Sequence, residues 1–554
     1  MKELMKFLFK RQWLKILIIV FFTYVNVESQ LNVLDLFPII AMHIKKGLFN
    51  IPSDILFDVT TAIILSIIAS IVISYLSISV ASKFAYDLKE KLFEILLNLK
   101  TIEDLNRINY SGLMTRLIRG VDTEQSFVLI IFRRVLLIVV ACICIAINLY
   151  SISLWTSFAF IVFVLIFSFI FIFRLNQLSN LYFKVKKLYG KLNALFLDKI
   201  SGLKVIKLFS KEEHSNNIFK NEADNAYEKG FRFQYKLNFS LIWLITVDII
   251  LMAFLFNVIY KYSTGASNID DVIFVSLYIV YLINHLYSLA PFVSIYPLSY
   301  TSAVRIEEVL ALEKISSDYG KENNFDGIEF KNVSLTLSDR QILSDISFKI
   351  PDKSKTLIVG PIASGKTSLV YSMMGFHNID SGEILIDRNA KVSLTTNKVF
   401  LFKDSVFENI ALGDNNISRE DALNACNDAL FTKDLAFEVN ENGNNLTLDL
   451  KQRLTIARAL AHDYDLYIFD NAFTSIDSAS KKIIKENIER RLENKTVIYI
   501  DNDFENNSYF DNILVLDNGK IISQGKHDEL IKTCDTYKKL FNESRRCNDG
   551  TQVL

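Results

Sequence analysis

The sequence predicts a multidomain membrane protein: an N-terminal six-helix transmembrane bundle with long cytoplasmic helical extensions, then a C-terminal α/β P-loop NTPase domain. Three observations predict it. Apolar residues make up 51% of the 554-residue chain, more than an ordinary soluble protein carries, and they gather before residue 300. Charged, Asn-rich and Asp-rich sequence follows. Within that second half, Gly360-Pro361-Ile362-Ala363-Ser364-Gly365-Lys366-Thr367 fits G-x-x-x-x-G-K-[ST], between a β run at Thr356 to Val359 and a helical run at Ser368 to Met374.

Six apolar stretches, near 14–43, 56–82, 126–149, 154–175, 238–260 and 271–294, are each long enough to cross a hydrocarbon core of about 30 Å. Met1 to Trp13 is basic, but no A-x-A-like exit follows, so the first stretch is expected to stay as a span. The segments 83–125 and 176–237 are charged, helix-rich and nearly free of Pro. They carry Lys83, Lys89, Lys91, Arg116 and Arg119, then Lys184, Lys186, Lys187, Lys191, Lys204, Lys207 and Lys211. Excess positive charge puts both segments and the N-terminus on the cytoplasmic side. The outer connections near 44–55, 150–153 and 261–270 are short. The expectation is a multi-pass protein of the cell membrane with both termini cytoplasmic.

A polar residue inside a span costs about 2.5–3.5 kcal/mol and faces a cavity or a partner. Glu28, Asn32 and Asp35 recur at i, i+4 and i+7 on one face of the first span. Two readings stay open: the face lines a path for a cationic or peptide-like cargo, or its acids sit at the wet outer end. Asp248 and His285 pose the same choice, whereas Arg133 and Arg134 are placed to snorkel. The five cysteines show neither a C-x-x-C nor a metal spacing, and Cys142 and Cys144 read as packing residues. With zero formal net charge nothing points to a general nucleic-acid binder, and no nucleic-acid partner is expected.

The loop carries the chemistry. Its glycines let backbone N–H groups face phosphates, Lys366 reaches the β/γ oxygens, and the Thr367 hydroxyl can ligate Mg²⁺. Gly360, Ser364, Gly365, Lys366, Thr367 and Ser368 are therefore the candidate contacts to a nucleotide's phosphates, ATP's by the resemblance described next.

Further motifs resemble one family. Tyr110 to Asp122 and Ser201 to Glu213 look like the first and second intracellular loops of exporter-type ABC transporters, whose short coupling helices transmit force. From Gly327 to about Leu540 the chain is similar throughout to an ABC nucleotide-binding domain. Ile328 to Ser334 and Ile342 to Phe348 resemble its opening strands, Leu466 to Asp470 its Walker B strand, and Asn512 to Leu530 its closing segment. The resemblance implies that Asp470 holds Mg²⁺ with Thr367. It also divides the chain into a transmembrane exporter domain at 1–310, a linker at 311–326, the nucleotide-binding domain at 327–545 and a tail at 546–554.

The departures from the family pattern bear on mechanism. Leu337 stands where an aromatic residue stacks under adenine, which removes roughly 1–3 kcal/mol of stacking. Asn397 stands for the Gln that senses the γ-phosphate. Asn471 replaces the glutamate that activates water, a base worth about 10²–10⁴ in rate. Asn502 replaces the switch histidine. The signature becomes Leu446-Thr447-Leu448-Asp449-Leu450: Thr447 keeps a hydroxyl, but Asp449 would repel phosphate by about 4 kcal/mol at 4 Å and an effective dielectric of 20. Glu441 and Gly443 keep the positions of the loop that meets the coupling helices in that family, and Asp477 keeps the end of its D-loop. In the family, two halves pair head to tail around ATP. The resemblance thus implies a half-transporter with degenerate catalytic positions Asn471 and Asn502, paired with a second exporter half. A heterodimer fits better than a homodimer, in which both sites would lack the base. The cargo class is a small amphiphile or a peptide-like substrate. The alternative is a non-hydrolysing, nucleotide-binding membrane regulator.

Overall fold

The computed structural model describes residues 2–45, 53–98, 113–263, 269–312, 321–322, 327–337, 339–387, 390–502, 504 and 509–548. They form two compact units, each with its own core.

The first unit is helical throughout: α1 (Lys2–Lys45), α2 (Ser53–Leu97), α3 (Leu113–Ile130), α4 (Leu136–Ile152), α5 (Leu154–Ser201), α6 (Leu203–Leu208), α7 (Glu212–Ser263), α8 (Ile269–Tyr287) and α9 (Ala290–Leu312). The helices α2, α5 and α7 run for 45, 48 and 52 residues. At 1.5 Å per residue they reach roughly 70 Å, more than twice a hydrocarbon core, so each continues beyond the lipid as the sequence predicts. Among the described residues, five stretches are long and apolar enough to cross a membrane: Glu3–Pro38, Ser53–Leu97, Leu117–Ile152, Leu154–Ser201 and Asp271–Ala311. On α7, where a sixth is expected at 238–260, the described apolar stretch is the shorter Val247–Tyr260.

Two apolar cores hold this unit. Val27, Leu31, Ala141, Leu149, Val275 and Leu282 are buried in one, and Leu8, Ile19, Val80, Leu88, Val121 and Ile306 in the other. Cys144 is buried in the first of these cores and Cys142 packs against it, as packing residues should. A π-helical turn at Ile131–Val135 joins α3 to α4. Its extra residue re-aims the helix face, and Arg133 donates to the Ser74 carbonyl at 3.2 Å. Polar side chains pair between helices. The Tyr278 hydroxyl donates to Asp35 at 2.5 Å, the Tyr281 hydroxyl to Gln30 at 2.9 Å and the Tyr287 hydroxyl to Asp248 at 2.6 Å. The His285 ring meets Tyr281 edge-on, 4.3 Å between centroids.

Of the first loop string, Tyr110, Ser111 and Gly112 lie outside the described residues, as do 313–320 and 323–326 of the expected linker and 549–554 of the tail. The second string forms a tight reversal. The helix α5 ends at Ser201, α6 spans six residues, and Ser210 at φ 50° turns the chain into α7. Leu208 and Phe209 at this tip are 81% and 70% exposed.

The second unit has two sheets. One has strand order β1 (Lys321–Glu322), β5 (Ser381–Asp387), β2 (Ile328–Leu337), β3 (Arg340–Ile350), antiparallel apart from the β1–β5 pair. The other runs β10 (Lys520–Gly525), β9 (Asn512–Asp517), β4 (Lys355–Val359), β8 (Thr496–Ile500), β7 (Leu466–Asp470), β6 (Val392–Thr396). It is parallel except for β10. The strands β4, β7 and β8 are buried at every position, which is why they read as unbroken apolar runs rather than alternating ones. Its helices are α10 (Lys366–Met373), α11 (Val406–Ala411), α12 (Arg419–Asp428), α13 (Leu448–Ala461), α14 (Ser478–Arg491), α15 (His527–Thr533) and α16 (Asp535–Asn548).

Register positions the chemistry. Ile358 on β4 and Asp470 on β7 both pair with Ile500 on β8. The carboxyl ends of three neighbouring strands thus stop side by side, the edge where open α/β sheets bind ligands.

Candidate nucleotide site

Three chain segments leave that edge. After β4 the backbone turns through Gly360 to Gly365 and enters α10 with Gly365 as its N-cap at φ 104°. A Cβ on Gly360 would lie 2.1 Å from the Leu516 carbonyl oxygen of β9, so only glycine fits there. The N-terminus of α10 therefore points its free N–H groups into the turn, an anion site by geometry and dipole.

Lys366 lies across the mouth of this turn. Its Nζ donates to the carbonyls of Gly360 and Pro361 at 2.7 and 2.8 Å and to the Ser364 hydroxyl at 3.4 Å. Burial pulls the Lys366 pKa below its ordinary value, while Asp470 and Asp501 oppose the shift. A γ-phosphate offers this ammonium the full negative charge that the carbonyls lack.

Asp470 closes β7 and is 4% exposed. Its Oδ2 accepts from the Thr367 hydroxyl at 2.9 Å and its Oδ1 accepts from the Asn471 amide at 2.9 Å. Burial raises its pKa, and the two hydrogen bonds and Lys366 oppose that rise. The Thr367 hydroxyl and the Asp470 carboxylate present hard oxygen donors to one point at the end of the phosphate loop. That donor set fits Mg²⁺, which takes one or two protein oxygens and fills its shell with phosphate and water.

The two positions expected to be altered lie beside these groups. Asn471 sits at φ 50°, its N–H donating to the Ile500 carbonyl at 2.9 Å. Asn502 faces the loop from the end of β8. The Gly360 N–H donates to Asn502 Oδ1 at 3.3 Å, and Asn502 Nδ2 donates back to the Gly360 carbonyl at 3.1 Å. Ser364 is buried and Ser368 lies in the first turn of α10. Lys366, Thr367, Asp470, Asn471 and Asn502 are thus brought together around Gly360.

Other candidates stand apart from this cluster. Asn397 is exposed just after β6, the edge strand, and among the described residues no hydrogen bond joins it to Gly360, Thr367 or Asp470. Leu337 packs against the core of the antiparallel sheet. Thr447 is the N-cap of α13, its hydroxyl accepting from the Leu450 N–H at 3.4 Å. Asp449 is held by Arg453 at 2.8 Å, so the negative charge expected to repel phosphate is paired within its own helix.

Sequence reading missed two side chains here. Gln452, 1% exposed, donates to the Thr474 hydroxyl at 3.0 Å and accepts from the Ser475 N–H at 2.8 Å. Arg453 bonds Asp449, Asp477 and the Leu430 carbonyl. Both lie on α13 and tie it to the segment after Walker B. Residue type gave no sign of this, because Gln and Arg are ordinarily exposed and only the packing of α13 buries them.

Comparison with known proteins agrees with this architecture. Residues 15–286 match the ABC transporter transmembrane region, and residues 343–474 match the ABC transporter family. Over 392 residues the chain is 27% identical to an uncharacterized ABC transporter ATP-binding protein of Haemophilus influenzae, covering 66% of this chain and 69% of that protein. Over 236 residues it is 31% identical to the ATP-dependent lipid A-core flippase of Desulfotalea psychrophila, covering 39% of this chain and 41% of the flippase. The chain thus spans less than half the length of that flippase. Its fold superposes on a bacterial Atm1-family ABC exporter, solved with ATP bound, with a TM-score of 0.82 over 99% of both chains at 19% identity. A transmembrane region joined in one chain to a nucleotide-binding domain, in this order, places the protein among the ABC transporters, and its fold is that of the Atm1-family exporter.

Proposed function

We propose that the chain is the ATP-binding half of an ABC exporter that moves an amphiphilic or peptide-like substrate out across the cell membrane. It is paired with a second half that does most of the hydrolysis. One observation carries this reading: the groups that hold nucleotide, Lys366, Thr367 and Asp470, converge, while the two amides beside them, Asn471 and Asn502, have no proton-accepting base between them. An amide orients water but does not take its proton.

In this reading Gly360, Ser364, Gly365, Lys366 and Ser368 bind the phosphates, and Thr367 with Asp470 holds Mg²⁺, which screens phosphate charge. Asn397 and Thr447 complete the nucleotide contacts across the pair. Both termini are cytoplasmic. The transmembrane domain ends near 310, the linker covers 311–326, the nucleotide domain covers 327–545 and a tail follows. The amphiphilic cargo is supported by a cavity of about 850 Å³ in the helical unit, walled by Val135, Phe160, Phe167, Phe171, Phe292 and Tyr296 among others. It is supported too by the lipid A-core flippase among the relatives.

The test is co-expression with candidate partner halves, followed by vanadate-sensitive ATPase assay and complex size. A stable pair whose turnover depends on the partner's Walker glutamate is expected. Strong turnover by this chain alone overturns the reading. A nucleotide-dependent pair without cargo flux points to the regulator.

A further inference from the structure

We infer that the C-terminal helix α16 is a positioning element for the nucleotide site: its Tyr537 and Phe541 hold Phe504, and Phe504 holds Asn502 against the phosphate loop. The inference rests on the ATP-binding reading above and adds to it what keeps that site in shape. Asn502 meets Gly360 through two bonds, its Oδ1 accepting from the Gly360 N–H at 3.3 Å and its Nδ2 donating to the Gly360 carbonyl at 3.1 Å. Both are longer than the usual value of about 2.9–3.0 Å, so they do not by themselves fix the segment that leaves β8. The preceding residue, Asp501, meets Lys481 of α14 at 3.7 Å, which is looser still.

The firm anchor lies two residues on. Phe504 is 6% exposed, and its ring stands edge-on to Tyr537 at 5.3 Å and to Phe541 at 5.7 Å between centroids, the arrangement that aromatic quadrupoles favour. Tyr537 is fully buried, and its hydroxyl lies 2.8 Å from Nδ1 of His527, the first residue of α15. The His527 ring packs in turn on Phe541, 5.1 Å between centroids. The sequence of α16 builds this face: Tyr537, Leu540, Phe541 and Ser544 recur at i, i+3, i+4 and i+7, the stripe of an amphipathic helix. Two residues of chain span at most about 7 Å, so a Phe504 locked in this cluster keeps Asn502 beside Gly360. Release of Phe504 lets Asn502 withdraw, and the start of the phosphate loop loses the partner of its first N–H.

The experiment measures MgATP affinity of the full chain in lipid nanodiscs, by competition against a fluorescent ATP analogue, for wild type, Phe504→Leu, Asn502→Ala and the double variant. Phe504→Leu keeps a bulky apolar side chain but loses both ring contacts. Each single variant is expected to weaken MgATP by about threefold to tenfold, the worth of one or two weak hydrogen bonds, and the double variant to bind no worse than the weaker single one. In hydrogen exchange the peptide carrying Gly360 should lose protection in Phe504→Leu as it does in Asn502→Ala. Tyr537→Phe, which keeps the ring and drops the bond to His527, should bind closer to wild type than Tyr537→Leu. If Phe504→Leu does not fold, Phe541→Leu, at a partly buried position, takes its place in the same cycle. A lower melting temperature with MgATP affinity and Gly360 protection unchanged would mark the cluster as packing alone, and that overturns the inference. So do losses that multiply in the double variant, or an Asn502→Ala variant that binds like wild type; ATP binding then still stands. A wild-type chain that binds no MgATP removes the ATP-binding reading itself, and the inference with it.

Discussion

Arg453 donates through Nε to the carboxylate of Asp449 one helical turn earlier, at 2.8 Å. The acid that the family resemblance sets at a signature glycine is thereby paired within its own helix. The same guanidinium reaches Asp477 at 3.2 Å and the Leu430 carbonyl at 3.0 Å. One planar fork thus fixes the start of α13, the cap of α14 and the turn after α12. Arg453→Ala is expected to destabilise the nucleotide domain by about 2–3 kcal/mol, since a half-buried carboxylate and a carbonyl lose a charged donor. Arg453→Lys should recover little of it, because a point charge cannot make three directed bonds. Calorimetric unfolding of the two variants checks both.

Asp470 provides a pH-dependent test. Burial raises its folded-state pKa above the ordinary 3.8. Between those two values the folded state binds more protons than the unfolded one, so stability falls as pH rises through the window, and the cost is fully present above the folded pKa. Asp470→Asn removes that cost. The variant should melt higher than wild type at neutral pH without nucleotide, and the difference should close as pH falls toward the ordinary carboxylate range. It should also lose Mg²⁺-dependent nucleotide affinity. A gain that persists unchanged into acid would contradict the account.

Placing a base at Asn471 tests the proposed loss of hydrolysis. Asn471→Glu supplies a carboxylate that can take a proton from water, and phosphate release in the assembled transporter should rise by about tenfold or more. The gain should stop short of the full value of such a base. The substitution removes the amide N–H that Asn471 gives to Asp470 at 2.9 Å and sets two carboxylates side by side. No change in release would show that the signature, not the base, limits turnover.

In the helical unit, Glu124 is 3% exposed and both its oxygens lie 3.0 Å from the Ser299 hydroxyl. Ser299→Ala withdraws the donor and leaves a buried carboxylate short of a partner. A loss of about 1–3 kcal/mol is expected, read as a lower melting temperature of the detergent-solubilised chain. Glu124→Gln in that background should restore part of it.

How much of this was legible beforehand differs by element. The loop at Gly360 to Thr367, the strand at Leu466 to Asp470 and the long helices were visible because each is local. Apolar runs, a glycine spacing and a lysine next to a hydroxyl are properties of neighbours in the chain. The resemblance also named Asn471 and Asn502 as altered positions, which residue identity alone reveals.

The sequence by itself determined the division into an apolar helical half and an α/β half, and which residue types stand in the loop at Gly360 to Thr367. Only the tertiary structure decided what those residues do to one another. Asn502 lies 142 positions from Gly360 and Asp470 lies 103 from Thr367. Their hydrogen bonds exist because the parallel register sets β4, β8 and β7 side by side with their ends aligned. The pairing of Asp449 with Arg453 depended likewise on a helix starting at Leu448, which sets residues four apart on one face. Local spacing fixes chemical type, whereas strand order and register fix which donor meets which acceptor.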